Sequence, residues 1–149
     1  MDVSVGISQI LTKLLKSSPG LQQVMVTDST GLTIASVSKS SDNLELEGIG
    51  ALTTALFLGM NYQGDELNLG ALGFVFSEFS GGKLILQSVT RDYVLVGILS
   101  QRASIQKIKN TLQRYMSLIV DQIQLLRTSQ DVERKIEKSL FADALLELE

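Results

Sequence analysis

The side chains that most enzymes use for catalysis are scarce in this sequence. Its 149 residues include no His and no Cys, which excludes thiolate or imidazole metal sites, Cys-His nucleophiles and His acid/base chemistry. The nearest approaches to carboxylate pairs are Asp65-Glu66 and Glu45 with Glu47. General acid/base catalysis needs two carboxyls in different environments that face one cleft, whereas these acids fall in a polar loop and at a helix start, where they favour solvent. The sequence therefore predicts no catalytic residue and a protein that is not an enzyme.

Turn-forming and glycine-rich segments suggest two further kinds of chemistry. Asp28-Ser29-Thr30-Gly31 could hold a hard cation through its oxygens, but this cluster is more typical of a hairpin turn. Gly70-Ala71-Leu72-Gly73 and Ser80-Gly81-Gly82 lack the strand, spaced glycines and helix of a dinucleotide site, and the Lys-Ser/Thr ending of a phosphate-binding loop. We therefore predict no metal site and no cofactor.

Charge and hydropathy narrow the class of protein further. Thirteen basic and sixteen acidic residues give a net charge of -3, which removes the positive field that nonspecific nucleic-acid binding needs. Lys13 and Lys16 follow the first apolar stretch instead of preceding it, unlike a signal peptide. No apolar run reaches the roughly 18 residues of a membrane-spanning helix. We expect a soluble, cytoplasmic domain with no nucleic-acid partner and no integral membrane segment.

The hydrophobic pattern predicts a helix, two strands, a second helix, three strands and a third helix. Apolar residues at three- and four-residue spacing indicate helices at about Ser4–Ser17 and Ala103–Arg127. Short apolar and β-branched runs between turn residues indicate strands at Leu21–Thr27, Leu32–Ser38, Gly73–Phe79, Lys83–Val89 and Tyr93–Leu99. The last run is apolar on both faces, which predicts a central strand covered from both sides. The predicted fold class is α/β of the α+β type, with helices on both faces of the sheet.

The segment from Leu44 to about Asn61, the middle helix, is apolar around most of its circumference. On a helical wheel of about 100° per residue, one side carries Gly48, Ala51, Leu52, Ala55 and Gly59. Ile49, Leu56 and Met60 point about 90° away, and the main polar strip consists of Glu47 and Thr54. One interpretation is an internal core helix. The other, which we favour, is a twofold contact with the same helix of a second subunit, because one sheet face covers only one stripe.

Residues after Arg127 form an extension of different charge. Thr128 and Asp131 have the spacing of a capping box, so we predict a separate helix or a kinked continuation, and we divide the chain into a domain at 1–127 and a helical extension at 128–149. Five basic residues and one acid lie from Arg102 to Arg127, whereas six acids and three basic residues follow. The extension could therefore be attracted to the preceding helix of its own or a neighbouring subunit. Its apolar stripe, to which we assign docking of the extension, consists of Val132, Ile136, Leu140, Phe141 and Leu145.

With this order of elements, the sequence resembles the Roadblock family, which is named for dynein light chains and includes bacterial regulators of a Ras-like gliding-motility GTPase. The resemblance covers about residues 4 to 125. It rests on Leu14-Leu15-Lys16-Ser17-Ser18-Pro19-Gly20-Leu21 leading into residues 24–36, on the Ala-rich middle helix, on Gly64-Asp65-Glu66-Leu67-Asn68-Leu69-Gly70, and on late hairpins that end in Val94-Leu95-Val96-Gly97-Ile98-Leu99.

The resemblance implies a five-stranded antiparallel sheet with the middle helix on one face and the terminal helices on the other. Family members are usually dimers joined through the middle helix and an edge strand, here Gly73–Phe79. The implied dimer interface therefore adds Phe74 and Phe76 to the small-residue side of the middle helix. The implied function is that of a homodimeric, non-catalytic adaptor or regulator that binds a small Ras-like GTPase on the paired middle helices. The matching exposed positions are Glu47, Thr54 and Leu58.

Two other functions remain open from the sequence. A sensory domain would hold a small apolar ligand between the sheet and the middle helix, because missing side chains can leave a pocket as readily as a close helix contact. A structural light-chain subunit would use the same dimer without a GTPase partner.

Overall fold

Five antiparallel strands form one sheet that separates two layers of helices. The computed structural model describes residues 3–40 and 47–147, with side chains described for 5–40 and 50–147. In chain order the elements are α1 (Val3–Ser17), β1 (Leu21–Asp28), β2 (Thr33–Ser38), α2 (Glu47–Glu66), β3 (Phe74–Phe79), β4 (Gly82–Thr90), β5 (Tyr93–Leu99) and α3 (Ile105–Glu147). The strand order is β2-β1-β5-β4-β3, with every neighbouring pair antiparallel. The predicted fold class and the central position of β5 are confirmed.

The larger core lies between the sheet and the helices α1 and α3. Each helix buries one stripe at three- and four-residue spacing, formed by Ile7, Leu11 and Leu14 in α1 and by Ile108, Leu112, Ile119 and Ile123 in α3. These stripes close over sheet residues that include Val24, Val26, Ile85 and Leu95. At Gly97 of β5 an added Cβ would lie 2.7 Å from Cγ1 of Ile85, so the core leaves no room for a side chain there.

The other face of the sheet is covered by α2, the middle helix. Phe57 of α2 is buried in a smaller cluster with Met25, Leu86, Val94 and Val96. Beside it, the hydroxyl oxygens Oγ1 of Thr54 and Thr27 form a buried hydrogen bond of 2.7 Å. The turn between β1 and β2 also contacts α2: at Gly31, whose φ is +88°, an added Cβ would lie 2.6 Å from Cα of Ala51. Apolar packing, one polar link and a close backbone approach thus hold α2 in place.

The turn between β1 and β2 is built around Asp28. Its oxygen Oδ1 accepts hydrogen bonds from the backbone N–H and the hydroxyl of Thr30, at 2.9 and 2.6 Å, and from the N–H of Leu32 at 3.0 Å. Gly31 supplies the left-handed conformation that the turn requires. Because one carboxylate oxygen serves three local donors, the hairpin-turn interpretation of this segment is confirmed.

The helix α2 ends later than the apolar pattern indicates, at Glu66 instead of Asn61. Its last turn is closed by hydrogen bonds from Asn68 N to Asp65 O, at 3.2 Å, and from Leu69 N to Gly64 O, at 2.8 Å. Asn68 has a φ of +58°, so these bonds form a Schellman motif with Asn in the left-handed position. The polar, exposed residues of this turn carry no apolar periodicity, which is why the pattern stops short.

The helix α3 is one continuous helix of 43 residues, about 65 Å long at ~1.5 Å per residue. Of the two alternatives predicted for the residues after Arg127, the separate helix that starts at a Thr128 cap is therefore wrong, and the chain continues the same helix. The hydroxyl of Thr128 instead donates to the carbonyl oxygen of Gln124, at 2.9 Å, inside the helix. Arg127 forms an exposed ion pair with Asp92 of the turn between β4 and β5, at 3.8 Å, and residues 128–147 are all exposed. Within the described residues, none of the helices combines the length and hydropathy needed to cross a membrane.

Candidate functional site

The side of α2 that points away from the sheet is apolar and exposed. It carries two rows of residues at four-residue spacing, a small row of Ala51, Ala55 and Gly59 and a large row of Leu52, Leu56 and Met60, which together we call the α2 face. The large residues are 65%, 58% and 49% exposed, in that order. Residues 50–62 include no Asp, Glu, Lys or Arg. A contiguous apolar surface of this kind marks a contact site for another macromolecule.

The inward side of the same helix explains why these residues face outward. Thr53, Thr54 and Phe57 are buried against the sheet, and at about 100° per residue the small row lies on the opposite side of the helix from Phe57, with the large row beside it. An added Cβ on Gly59 would meet no described atom within 4 Å. The chain's own fold therefore does not need glycine at this position, whereas a second helix that packs closely against the α2 face would.

A cavity lies at the carboxyl end of α2, beneath the loop that leads to β3. It has a volume of about 310 Å³ and is lined by residues that include Met60, Gly64, Leu67 and Leu72. Asn61 fixes the loop, because its side-chain oxygen accepts a 2.8 Å hydrogen bond from the N–H of Leu72. The sensory interpretation requires a pocket between the sheet and the helix, but there the buried ring of Phe57 packs directly on the sheet.

The strand β3 forms one edge of the sheet, with β4 as its only neighbour among the described strands. The free edge of such a strand can pair with a strand of another chain. Phe74 packs against the α1/α3 core, with Lys109 Nζ 4.9 Å from the centroid of its ring. Phe76 is 51% exposed and shares that face of the sheet, since alternate strand residues point the same way. The two phenylalanines therefore lie on the opposite face of the sheet from α2 and do not extend the α2 face.

The structure brings together most of the residues that the sequence assigns to a dimer interface. Ala51, Leu52, Ala55 and Gly59 are all exposed on the α2 face, and their role in a dimer stays a prediction. Gly48 and Glu47 lie in the first turn of α2, where the structure describes the backbone only.

Leu56 and Met60 belong to the α2 face but are absent from the predicted interface. The helical wheel was centred on the small residues, which left these two at its margin. At about 100° per residue, Leu56 and Met60 lie about 100° and about 60° from the buried Phe57, so the wheel alone does not separate them from the buried side, and their exposure is seen only in the structure.

One of the residues predicted to contact a GTPase is buried in the structure. Thr54 is only 1% exposed, because its hydroxyl is hydrogen-bonded to Thr27 beneath the helix. The prediction that Thr54 is an exposed position is therefore wrong. Leu58 is partly exposed at the border of the α2 face.

The apolar residues assigned to docking of the extension contact nothing that buries them in the single chain. Val132, Ile136, Leu140, Phe141 and Leu145 are between 50% and 68% exposed. These side chains therefore do not dock on the described part of their own chain.

Tyr93 lies opposite Asp28 at one end of the sheet. Burial of Tyr93 raises the pKa of its hydroxyl, and the neighbouring carboxylate of Asp28 raises it further. Tyr93 belongs to the α1/α3 core and not to the α2 face. The α2 face itself offers shape and apolar area, which suits it to protein contact.

Comparison with known proteins agrees with this geometry. The Roadblock/LC7 domain model matches residues 7–99. Myxococcus xanthus MglB has a similar structure, with a TM-score of 0.75 at 19% identity over 83% of this chain and 91% of that one. A structure described as MglB with tetrameric arrangement gives 0.74 at 13% identity over 82% and 90%. A Roadblock/LC7 domain from Streptomyces avermitilis gives 0.70 at 13% identity over 78% and 97%.

These identities are low, so the similar structures show the fold alone. No curated protein matches the sequence.

Proposed function

Since the chain belongs to the Roadblock/LC7 domain family, we propose that it is a homodimeric, non-catalytic adaptor or regulator that binds a small Ras-like GTPase on paired α2 helices. The observation that carries the proposal is the α2 face, an exposed apolar surface on a helix whose inner side is already satisfied by the sheet. Soluble proteins rarely leave a contiguous apolar surface exposed to water, and a surface of this kind is typically covered by a binding partner.

The partner that best fits the α2 face is a second copy of the same face. In a twofold contact, each row of residues meets itself across the axis, and Ala55 and Gly59 allow the two backbones to approach closely. The free edge of β3 lies at one margin of the sheet and could pair with its counterpart in the same dimer. MglB with tetrameric arrangement is a self-associating protein of the same fold, which supports self-association here.

The paired helices would present a platform for the GTPase. Glu47 and Leu58 are the positions that we assign to this contact, with Thr54 removed because it is buried. The family resemblance supports the class of partner. The chain's contribution is to hold and orient the GTPase, since the α2 face carries no group that could take part in phosphoryl transfer.

The dimer is tested by Ala55→Asp. Ala55 is exposed in the single chain, so the carboxylate becomes buried and unpaired only where two α2 faces meet. We expect association through α2 to weaken at least about 100-fold, or about 3 kcal/mol. Native mass spectrometry at low micromolar concentration should show the wild type as two or more copies of the 16.2 kDa chain and a smaller assembly for the variant.

The matched control is Ala142→Asp, the same substitution at an exposed position of α3. It should leave the assembly mass unchanged, and both variants should unfold in urea as the wild type does. If Ala55→Asp and Ala142→Asp gave assemblies of equal mass, the dimer assignment would be wrong.

The GTPase is tested by affinity capture with the small Ras-like GTPases of the same genome, each loaded with GDP or with a non-hydrolysable GTP analogue. We expect one of them to be retained in a nucleotide-dependent manner. Glu47→Arg should reduce that retention, whereas Glu66→Arg, the same charge change at the exposed far end of α2, should not. A dimeric wild type that retains no GTPase in either state would instead indicate a structural light-chain subunit.

A further inference from the structure

A second exposed apolar surface runs along one flank of α3, outside its buried stripe. It consists of Leu118, Leu125, Val132, Ile136 and Leu140, which are between 48% and 65% exposed. At about 100° per residue these positions fall within an arc of about 80°, whose centre lies about 110° around the helix from the centre of the buried stripe. We call this arc the outer α3 face. It starts on the part of α3 that packs on the sheet and continues into the exposed extension.

Charged residues occupy the two ends of the same arc in a definite order. Lys107 and Arg114 precede the apolar residues, and Asp143 and Glu147 follow them, and all four are exposed. On a helical wheel of about 100° per residue, all four charged residues fall within the same arc as the apolar residues of the outer α3 face. The outer α3 face is therefore basic at its amino end, mainly apolar in the middle, where Gln122 and Ser129 lie between the apolar residues, and acidic at its carboxyl end.

This order makes the face complementary to itself in one orientation only. Two antiparallel copies that cross near Ser129 place Leu118 opposite Leu140, because the two residues are equally distant from Ser129 in the sequence. The same register sets Arg114 beside Asp143 of the second copy, and Glu147 between Lys107 and Arg114. A parallel pair would instead set like charges against each other. We propose that the outer α3 face binds the outer α3 face of a second copy of this chain, with the two helices antiparallel.

The structure also favours a second copy over the chain itself. The sequence leaves open whether the acidic extension pairs with the basic half of its own helix or of a neighbour. Because α3 is continuous from Ile105 to Glu147, it does not fold back on itself. Most of the stability of a helix in a protein comes from packing of its apolar face, and residues 128–147 are all exposed in the single chain. An antiparallel partner would supply that packing along the whole extension.

The α3 contact is independent of the dimer proposed above, because α2 and α3 lie on opposite faces of the sheet. A chain with two different twofold contacts assembles into a closed tetramer or a longer array. The two contacts can therefore be broken separately, and failure of one leaves the other to be measured.

Cross-linking tests the pair directly, because the chain has no cysteine of its own. Leu118→Cys and Leu140→Cys are made in separate chains, the two proteins are mixed and oxidised, and linked peptides are identified by mass spectrometry. We expect disulfides to join the two different variants, since these positions face each other in the antiparallel pair. Gln113→Cys, an exposed position on the other side of α3, replaces Leu118→Cys in the control mixture and should give little linkage.

Charge reversal tests the orientation in the Ala55→Asp background. Arg114→Glu or Asp143→Arg alone should weaken association of the outer α3 faces about tenfold, because a twofold contact contains each pair twice. The combination of both reversals should restore association to within about threefold. Association recovers in the double variant only if Arg114 of one chain contacts Asp143 of the other.

Three outcomes would overturn the proposal. Disulfides that join identical variants would indicate a parallel pair. Linkage no greater than in the control mixture would indicate that no second copy covers the face and that a different protein does. A double reversal that associates no better than either single one would exclude the proposed register. If instead Ala55→Asp left the assembly unchanged while the cross-links formed, the α2 dimer would fail and the α3 pair would stand.

Discussion

The two faces of the sheet differ in how completely the chain covers them. On one face, α1 and α3 bury apolar stripes against each other and against the sheet, and a continuous core results. On the other face, α2 buries Phe57 and two threonines but leaves three large apolar residues about half exposed or more. The closed face accounts for the fold of a single chain. The half-covered face is the one that we propose a second copy completes, and this difference separates the residues that fold the protein from those to which we assign partners.

The largest expected loss of stability comes from a substitution in the core of the closed face. Leu112→Ala removes a fully buried side chain of α3 and should lower the free energy of unfolding by about 2 to 5 kcal/mol, because it leaves a cavity in a packed core. The measurement is urea unfolding followed by circular dichroism, at a protein concentration where the copies are dissociated.

The matched control for this effect is on the same helix. Leu118→Ala makes the same change at a side chain that is 48% exposed, and it should cost less than about 1 kcal/mol of unfolding free energy. Equal losses at the two positions would mean that the closed face does not carry the stability of the chain.

The elements of the closed face could be predicted from sequence because each buries a regular stripe. The leucines and isoleucines of α1 and of the first half of α3 recur at helical spacing, and β5 is apolar on both sides. Their positions follow from periodicity alone. A residue on α1 or on the first half of α3 has only one side to bury, and a residue of β5 is buried on whichever face it points to, so the environment of each is rarely in doubt.

The half-covered face was harder to predict because its residues are apolar on more than one side. A wheel ranks Thr54 as polar and therefore exposed, yet the residue is buried because Thr27 lies opposite with a matching hydroxyl. That match joins positions 27 residues apart in the chain and has no local signal. Thr128 shows the same limit, since its capping pattern is local while the helix continues through it.

A smaller effect tests the polar link that attaches α2. Thr54→Val leaves the buried hydroxyl of Thr27 without its partner and should cost about 1 to 3 kcal/mol of unfolding free energy. Adding Thr27→Val removes both hydroxyls, so the double variant should be less destabilised than the two single losses combined.

Urea unfolding of the wild type, both single variants and the double variant measures this coupling. Strictly additive losses would show that the two hydroxyls are not coupled. A loss at Thr54 as large as that of Leu112→Ala would show that α2 is held as firmly as α3, which would remove the contrast between the two faces.

The smallest expected effect on folding comes from deletion of Ser129–Glu149. Because residues 128–147 are all exposed and the buried stripe of α3 ends at Ile123, the shortened chain should keep cooperative unfolding, with a change of less than about 1 kcal/mol. The deletion also removes most of the outer α3 face, so its assembly should shrink to the α2-linked dimer in native mass spectrometry. Loss of cooperative unfolding would contradict the division of the chain at 127, because the extension would then belong to the closed face and not to an interface.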